Sequence, residues 1–207
     1  MTKTAQPPEI VVFDIGNVLL DWSPDYLYRA MIPDPAARAA FFNGLPLDEM
    51  NLAGDREGRL QAVVEAMAER HPEEAPLILA WWAGWERMCA GLIAESVALR
   101  DEARAAGHGV WALSNFAADS WERCVKLYPE LLDFDGLVIS GREGAVKPDP
   151  AIYEVLERRA GKSGGALFLL DDRARNIEAA RARGWGGHVF ETAAGARAAL
   201  RAAGVAI

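Results

Sequence analysis

Four short apolar runs in this 207-residue sequence are each followed by polar side chains that could act together on one substrate. The polar residues are Asp14 after the first run, Ser114 and Asn115 after the second, Lys147 beyond the third, and Asp171 and Asp172 after the fourth. Three carboxylates brought together would repel one another without a cation. Oxygen ligands without histidine or cysteine at these positions favour Mg²⁺ over a transition metal.

Each of these residues also has an ordinary structural explanation. An aspartate or a Ser-Asn pair after a strand is a common helix cap or turn. A lysine before proline is usually a solvated loop charge, and paired aspartates suit a helix N-terminus. The coincidence of all four favours a shared site, because ligands of open α/β sheets bind outside the carboxyl ends of the strands.

The elements that must position these residues alternate between strand and helix. A strand at residues 9–14 opens the chain, and from about residue 94 helices and strands follow one another to a last helix near the C-terminus. This alternation predicts an α/β fold with a three-layer, open parallel sheet. Between about residues 24 and 94 the apolar spacing is helical and no strand is evident, so we expect a small inserted helical unit.

The amino-acid composition limits the kinds of partner that the protein could bind. With 22 Lys and Arg against 30 Asp and Glu, the net charge is −8, which argues against a nucleic-acid partner. Cys89 and Cys124 lack a CxxC spacing and are typical of free thiols in a reducing compartment. No signal peptide or membrane-spanning run is evident, so we expect a cytoplasmic protein without membrane association. The sequence does not fix the oligomeric state.

The chain resembles the haloacid dehalogenase-like (HAD) hydrolase superfamily, whose members are mostly phosphatases. Four segments carry the resemblance, in this order: VVFDIGNVL, VWALSN, GAVKPDPAIY and LFLLDDRARN. It implies a Rossmann-like catalytic core of residues 1–20 and 95–207, with residues 21–94 inserted as a helical cap. The FDxGNVL wording is most similar to capped sugar-phosphate phosphatases that include α-glucose-1-phosphate phosphatase.

The resemblance implies a role for each polar residue. Asp14 is expected to be the nucleophile that forms an aspartyl-phosphate, and Lys147 to neutralise charge on the transferring phosphoryl group. The expected Mg²⁺ ligands are Asp14, the backbone carbonyl of Gly16, Asp172 and, beside it, Asp171. The expected phosphate-binding residues are Ser114, Asn115, Gly16 and Lys147. Asn176 is expected to orient Asp172 or Lys147.

These roles predict a magnesium-dependent phosphatase that acts on a small, sugar-phosphate-like metabolite. One position departs from the superfamily pattern. Most of its phosphatases carry a second aspartate two residues after the nucleophile, which protonates the leaving oxygen and then assists the attacking water; here that position is Gly16. Asp21 is the nearest carboxyl that would replace it, although Asp21 fits a helix cap or loop position at least as well.

The cap offers one further candidate group for contact with substrate. Trp81, Trp82 and Trp85 are expected to lie in one cap helix. One or two of them are expected to fill the cap core, and one could line the substrate entrance.

Two other functions remain open. A hydrolytic 2-haloacid dehalogenase of the same fold releases halide without a proton, so the glycine at position 16 would not matter. Such enzymes work without metal, however, and carry serine in place of Asp171 and a water-activating aspartate in place of Asn176. A non-catalytic phosphate-binding relative is the other possibility, against which the intact Asp14, Lys147 and Asp172 argue.

Overall fold

The computed structural model describes residues 6–207, and its centre is a five-stranded parallel sheet. The strands of the chain, in order, are β1 (Ile10–Phe13), β2 (Leu20–Trp22), β3 (Cys89–Leu92), β4 (Gly109–Ser114), β5 (Gly136–Ile139), β6 (Leu167–Asp171) and β7 (Gly186–Val189). The central sheet has the strand order β5-β4-β1-β6-β7. The first five residues of the predicted core lie outside the described residues.

Strand β1 lies in the middle of the sheet and is buried on both faces. Val11 and Phe13 pack into one buried apolar cluster, whereas Ile10 and Val12 pack into a second cluster on the opposite face. This alternation follows from the two-residue period of a strand. Helices covering both faces make the three layers, so the predicted α/β fold with its Rossmann-like open parallel sheet is confirmed.

Eleven helices accompany the strands within residues 6–207. They are α1 (Pro24–Met31), α2 (Pro35–Gly44), α3 (Leu47–Glu57), α4 (Leu60–Arg70), α5 (Ala75–Ala83), α6 (Ala94–Ala105), α7 (Ala118–Leu127), α8 (Ser140–Glu143), α9 (Pro150–Ala160), α10 (Ala174–Ala182) and α11 (Ala193–Ala202). Short 3₁₀ helices cover Trp85–Met88, Pro129–Leu132 and Gly164–Ala166. None of the helices in this part of the chain has both the length and the apolar character needed to cross a membrane.

The expectation that residues 24–94 contain no strand is wrong. Strand β3 pairs antiparallel with β2 in a separate two-stranded ribbon, where Leu20 faces Leu92 and Asp21 faces Gly91. Strands of three and four residues are too short to show a two-residue hydrophobic period, and Asp21 and Gly91 interrupt the apolar runs. The ribbon lies where the chain leaves the core for the predicted cap and where it returns.

The turn between α3 and α4 packs tightly against the core. Gly58 ends α3 with φ of 74°, and a Cβ atom there would collide with the carbonyl oxygen of Gly141. The Asp119 carboxylate, on core helix α7, accepts hydrogen bonds from the backbone amides of Leu60 and Gln61, both at 3.1 Å. A core side chain therefore caps a helix of the inserted segment, which fixes this turn in place.

Candidate active site

A cavity of about 480 Å³ opens at the carboxyl edge of the central sheet, facing the inserted segment. Its lining from the core includes Asp14, Gly16, Asn17, Ser114, Asn115, Lys147, Asp172 and Asn176. Its lining from the inserted segment includes Trp22, Asp48, Glu49, Asn51, Leu52, Asp55 and Trp85. The structure thus brings the predicted site residues of all four strand ends to one place.

The Asp14 carboxyl group is held through one of its two oxygens. Oδ1 accepts hydrogen bonds from the backbone amide of Ile15 at 2.7 Å and from the Ser114 hydroxyl at 2.8 Å. It also lies 2.9 Å from the Lys147 ammonium nitrogen. No residue within 6–207 donates a hydrogen bond to Oδ2, so three donors fix the carboxylate while one oxygen is left for chemistry.

Lys147 is a buried cation that links two strand ends. Its Nζ lies 2.9 Å from Asp14 Oδ1 and 2.7 Å from Asp171 Oδ2, and it donates to the Leu113 carbonyl oxygen at 2.7 Å. Burial alone would lower the pKa of Lys147, but the Asp14 and Asp171 carboxylates outweigh it and raise that pKa above its usual value. The lysine is therefore charged at neutral pH.

Asp171 has no exposed surface, and its oxygens are fully occupied by protein groups. Besides Lys147, they accept hydrogen bonds from the Arg173 backbone amide at 2.9 Å and from the Asn176 side-chain amide at 2.9 and 3.1 Å. Asn176 therefore holds Asp171, and through it Lys147. It makes no hydrogen bond to Asp172 within the described chain.

Ser114 and Asn115 both contact protein groups here. The Ser114 hydroxyl donates to Asp14, as described above. The Asn115 side chain exchanges two hydrogen bonds with the backbone of Lys147, accepting from its amide at 2.7 Å and donating to its carbonyl at 3.0 Å. This side chain fixes the loop that carries the lysine. Gly16 lines the cavity, and a Cβ atom on it would meet nothing within 4 Å.

The carboxylates of Asp14, Asp171 and Asp172 can place one oxygen each within 4.8 Å of one another. The three carboxylates face the buried Lys147 cation and the exposed Arg173 guanidinium, 3.8 Å from Asp172, which leaves a net charge of about −1 among these groups. Burial raises the pKa of Asp14 to about 6, and burial together with the neighbouring Asp171 raises that of Asp172. This set of hard oxygen donors, with its unbalanced negative charge, fits a divalent cation such as Mg²⁺.

Asn17 is a site residue that the sequence did not single out. It adopts φ of 57°, the only positive value at a non-glycine residue among the described ones. Its side chain hydrogen-bonds to Asp172, which lowers the pKa of that carboxyl against the raising effects of burial and Asp171. The available signal was its place in the Gly-Asn pair that follows Asp14 and Ile15 after the strand, because asparagine tolerates this left-handed conformation.

Asp21 does not line the cavity. It lies in the ribbon strand β2, and its carboxylate accepts a hydrogen bond from the Tyr26 hydroxyl at 2.7 Å. Asp55 is a second residue that the sequence did not single out. It lies in α3, lines the cavity and is only 7% exposed. Its signal was weak: it follows Leu47 and Asn51 at four-residue intervals, on a helix face that is partly buried.

The three tryptophans occupy three different environments. Trp81, near the end of α5, is buried in the apolar core. Trp82 is half-buried, with the Arg123 guanidinium 4.3 Å from its ring centroid. Trp85 lines the cavity and packs on Phe116. The expectation that all three share one helix is wrong, because Gly84 ends α5 and Trp85 begins a 3₁₀ helix.

The chain belongs to the haloacid dehalogenase-like hydrolase family, since the model of that family matches residues 8–184. This confirms the superfamily that the four segments indicate.

Individual proteins are similar to parts of the chain. A sesquiterpene phosphatase, AstK of Aspergillus oryzae, is 30% identical over 91 residues, which are 44% of this chain and 46% of that protein. The matched stretch thus spans about half the length of this relative.

Solved structures share the fold at low sequence identity. A HAD family enzyme from Bacteroides thetaiotaomicron, in complex with magnesium and inorganic phosphate, has a TM-score of 0.65 at 15% identity and covers 89% of this chain and 94% of that one. The L-2-haloacid dehalogenase of Xanthobacter autotrophicus has a TM-score of 0.64 at 18% identity, covering 87% and 76%.

Proposed function

We propose that this protein is a magnesium-dependent phosphatase that works through an aspartyl-phosphate on Asp14. The observation that carries the proposal is the asymmetric carboxylate of Asp14. Its Oδ1 is held by Ile15, Ser114 and Lys147, whereas Oδ2 receives no hydrogen bond from the described residues. A carboxylate fixed at one oxygen presents the other as a nucleophile at a defined position, which lowers the entropic part of the barrier.

The residues around Asp14 supply the rest of the reaction. Asp14 Oδ2 would attack phosphorus, the bond from phosphorus to the leaving oxygen would break, and water would then hydrolyse the aspartyl-phosphate. Lys147 would stabilise the negative charge of the transferring group, while Asp171 and Asn176 keep its ammonium in position. Asp14, Asp172 and the Gly16 carbonyl would hold Mg²⁺, which when bound supplies the charge that offsets the carboxylates and the phosphate.

Asp171 would serve mainly to position Lys147. Its oxygens already accept from Lys147, Arg173 and Asn176, whereas Asp172 lines the cavity. Residues 21–94 would form a cap that covers the site. The cap would contact the leaving group and so determine which substrates are accepted. The Ser114 hydroxyl and the Asn115 amide would bind oxygens of the phosphate. In the structure Ser114 also fixes Asp14, and the Asn115 side chain fixes the loop that carries Lys147. A small, sugar-phosphate-like metabolite is the substrate class that we propose.

The experiment is hydrolysis of p-nitrophenyl phosphate by the wild type and by Asp14→Asn, each with Mg²⁺ and with EDTA. We expect turnover by the wild type with Mg²⁺ alone. The Asp14→Asn variant should lose at least about 10⁴-fold in kcat, because an amide keeps the shape of the carboxylate but is a poor nucleophile. Full activity in EDTA, or in the variant, would contradict the proposal.

The dehalogenase alternative is tested in the same preparations by halide release from 2-chloropropionate. The Asp171–Asp172 pair argues against it, since two adjacent carboxylates beside Asp14 are costly without a cation. Halide release without Mg²⁺, together with no hydrolysis of phosphate esters, would replace the proposed function by this one.

A further inference from the structure

Phosphoryl transfer to Asp14 requires a proton for the leaving oxygen, and the residue two positions after the nucleophile, Gly16, cannot supply it. An alkoxide is a poor leaving group, so hydrolysis of an alkyl phosphate needs a general acid. Gly16 has no side chain, and Asp21 is hydrogen-bonded to Tyr26 outside the cavity lining. Any acid must therefore come from another element that faces Asp14.

Asp55 is a buried carboxyl that the inserted segment contributes to the cavity lining. It is 7% exposed and lines the same cavity as Asp14 and Ser114. The Asn51 side-chain amide donates to its Oδ2 at 3.1 Å, and the Ala117 backbone amide is a further donor. Asp48 and Glu49 also line the cavity but are exposed to solvent.

The protonation of Asp55 agrees with its burial. Burial raises the pKa of Asp55 to about 7, against the lowering effect of the Ala117 hydrogen bond. The charged groups that face it are Asp14 and Asp119, which raise this pKa further, and Lys147, which lowers it. No cation pairs with Asp55 among the described residues. A carboxyl with a pKa near the working pH can both give and take a proton.

The backbone around Asp55 is fixed to the core. The Ser140 hydroxyl, at the carboxyl end of β5, donates to the Asp55 carbonyl oxygen at 2.7 Å. The next turn of chain is held where Gly58 meets Gly141 and where Asp119 caps α4. Asp55 is thus attached to the inserted segment in sequence but positioned by the same sheet edge that carries Asp14, as a proton donor requires.

We infer that Asp55 is the general acid and base of the reaction, in place of the aspartate that Gly16 lacks; this inference rests on the proposed phosphatase function. As Asp14 Oδ2 forms its bond to phosphorus, the bond to the leaving oxygen breaks and the Asp55 carboxyl gives that oxygen its proton. The Asp55 carboxylate then takes a proton from the water that attacks phosphorus. The bond from phosphorus to Asp14 breaks, and phosphate leaves with both aspartates restored.

The test compares wild type and Asp55→Asn with two esters, glycerol 3-phosphate and p-nitrophenyl phosphate, in the presence of Mg²⁺. The variant should lose about 10²- to 10⁴-fold in kcat/KM with glycerol 3-phosphate, whose alkoxide needs a proton. Its kcat/KM with p-nitrophenyl phosphate should change by less than about threefold, because nitrophenolate leaves unaided. Slow hydrolysis of the intermediate should also give a burst of nitrophenolate.

Asp21→Asn is the matched control, and its kcat/KM should equal that of the wild type with both esters. An equal loss with both esters, or none with either, in Asp55→Asn would overturn the inference while leaving the phosphatase function intact. A selective loss in Asp21→Asn would transfer the role to Asp21. If the wild type hydrolyses neither ester, the proposed function fails and the inference fails with it.

A pH profile of the wild type tests the same inference without a variant. Above pH 7 the fraction of protonated Asp55 falls about tenfold per pH unit, and kcat/KM with glycerol 3-phosphate should fall with it relative to that with p-nitrophenyl phosphate. A ratio that stays constant from about pH 6 to 9 would overturn the inference even if Asp55→Asn did not fold.

Discussion

Asp14 and Asp55 line the same cavity, and each is 7% exposed. Asp14 belongs to the part of the lining that the central sheet supplies, here called the sheet wall, and Asp55 to the part that helix α3 supplies, here called the helix wall. Their partners differ. Asp14 contacts the Lys147 ammonium at 2.9 Å and two uncharged donors, whereas Asp55 has amide donors and no cation among the described residues. Equal burial therefore does not produce equal chemistry. Burial raises the pKa of Asp14 to about 6 and that of Asp55 to about 7. The Lys147 ammonium contacts Asp14 and favours the ionised form that a nucleophile needs, whereas Asp55 has no such contact and its burial favours the protonated form that an acid needs.

The two walls also differ in how they are built. Asp14 lies at the end of a strand with neighbours on both sides, so the backbone hydrogen bonds of the sheet fix it. Asp55 lies in a helix of the inserted segment and depends on a few contacts around Gly58. The sheet wall should tolerate loss of a charge poorly, and the helix wall should be sensitive to changes in how it packs on the core.

The largest effect is expected at the sheet wall, from Lys147→Met. The apolar side chain keeps much of the volume but leaves Asp14 and Asp171 buried without their cation. Breaking a buried pair costs about 3–5 kcal/mol. We expect that loss in urea unfolding and a fall in kcat of about 10³-fold or more, with a smaller change in KM.

Lys162→Met is the control for Lys147→Met. Lys162 forms an ion pair with Glu9 at the surface, so its removal should cost less than about 1 kcal/mol and leave kcat unchanged. If Lys147→Met raised KM but left kcat unchanged, the lysine would contribute to substrate binding and not to the chemical step.

The tryptophans test which parts of the inserted segment are structural. Trp81→Ala should cost about 3–5 kcal/mol of stability, because its indole is 1% exposed in the core. Trp85→Phe should keep the packing on Phe116 while enlarging the cavity, so the ratio of kcat/KM between a bulky and a small phosphate ester should change. Trp82→Phe should leave that ratio as it is. Equal ratios in the Trp85 and Trp82 variants would make Trp85 purely structural.

The sequence predicts the sheet wall better than the helix wall for a physical reason. The order of alternating strands and helices places Asp14, Ser114, Lys147 and Asp171 at one edge, because parallel strands share a direction. No such pattern in the sequence predicts that Asp55 lies at the site. Its position depends on the contact of Gly58 with Gly141 and on the hydrogen bond from Ser140 to its carbonyl oxygen, both between residues far apart in the chain.

Strands of three or four residues could not be predicted from the sequence, for a related reason. The β2–β3 ribbon consists of paired segments of three and four residues that show no period by themselves. Its existence depends on pairing between residues about 70 positions apart, which a local pattern does not report.

Gly58→Ala tests the packing of the helix wall. An alanine with φ of 74° is strained by about 1–2 kcal/mol, and its Cβ would push α3 away from Gly141. We expect a total loss of about 3 kcal/mol and a larger fall in kcat/KM for glycerol 3-phosphate than for p-nitrophenyl phosphate. Gly44→Ala, at the end of α2, meets nothing within 4 Å and should change neither. Equal falls for both esters would separate the packing of this turn from proton transfer.

The smallest effect is expected from the titration of Asp55 itself, measured as stability without substrate or metal. The pKa of about 7 in the folded protein lies above the usual unfolded value of about 3.9, so the fold favours the protonated carboxyl. Its destabilising effect is absent below about pH 4, grows between about pH 4 and pH 7, and is constant above that range.

Asp55→Asn removes this titration while keeping an oxygen for the Asn51 and Ala117 donors. The variant should therefore gain stability over the wild type as pH rises, by on the order of 2 kcal/mol between pH 5 and pH 8, in urea unfolding at each pH. Asp14 titrates in both proteins, and because its charge is coupled to that of Asp55 the substitution lowers its pKa as well, which adds to the difference in the same direction. A difference that does not depend on pH would mean that Asp55 is ionised in the fold like Asp14. The contrast between the two walls would then lie in their packing alone, and the proton donor would have to be sought elsewhere in the cavity.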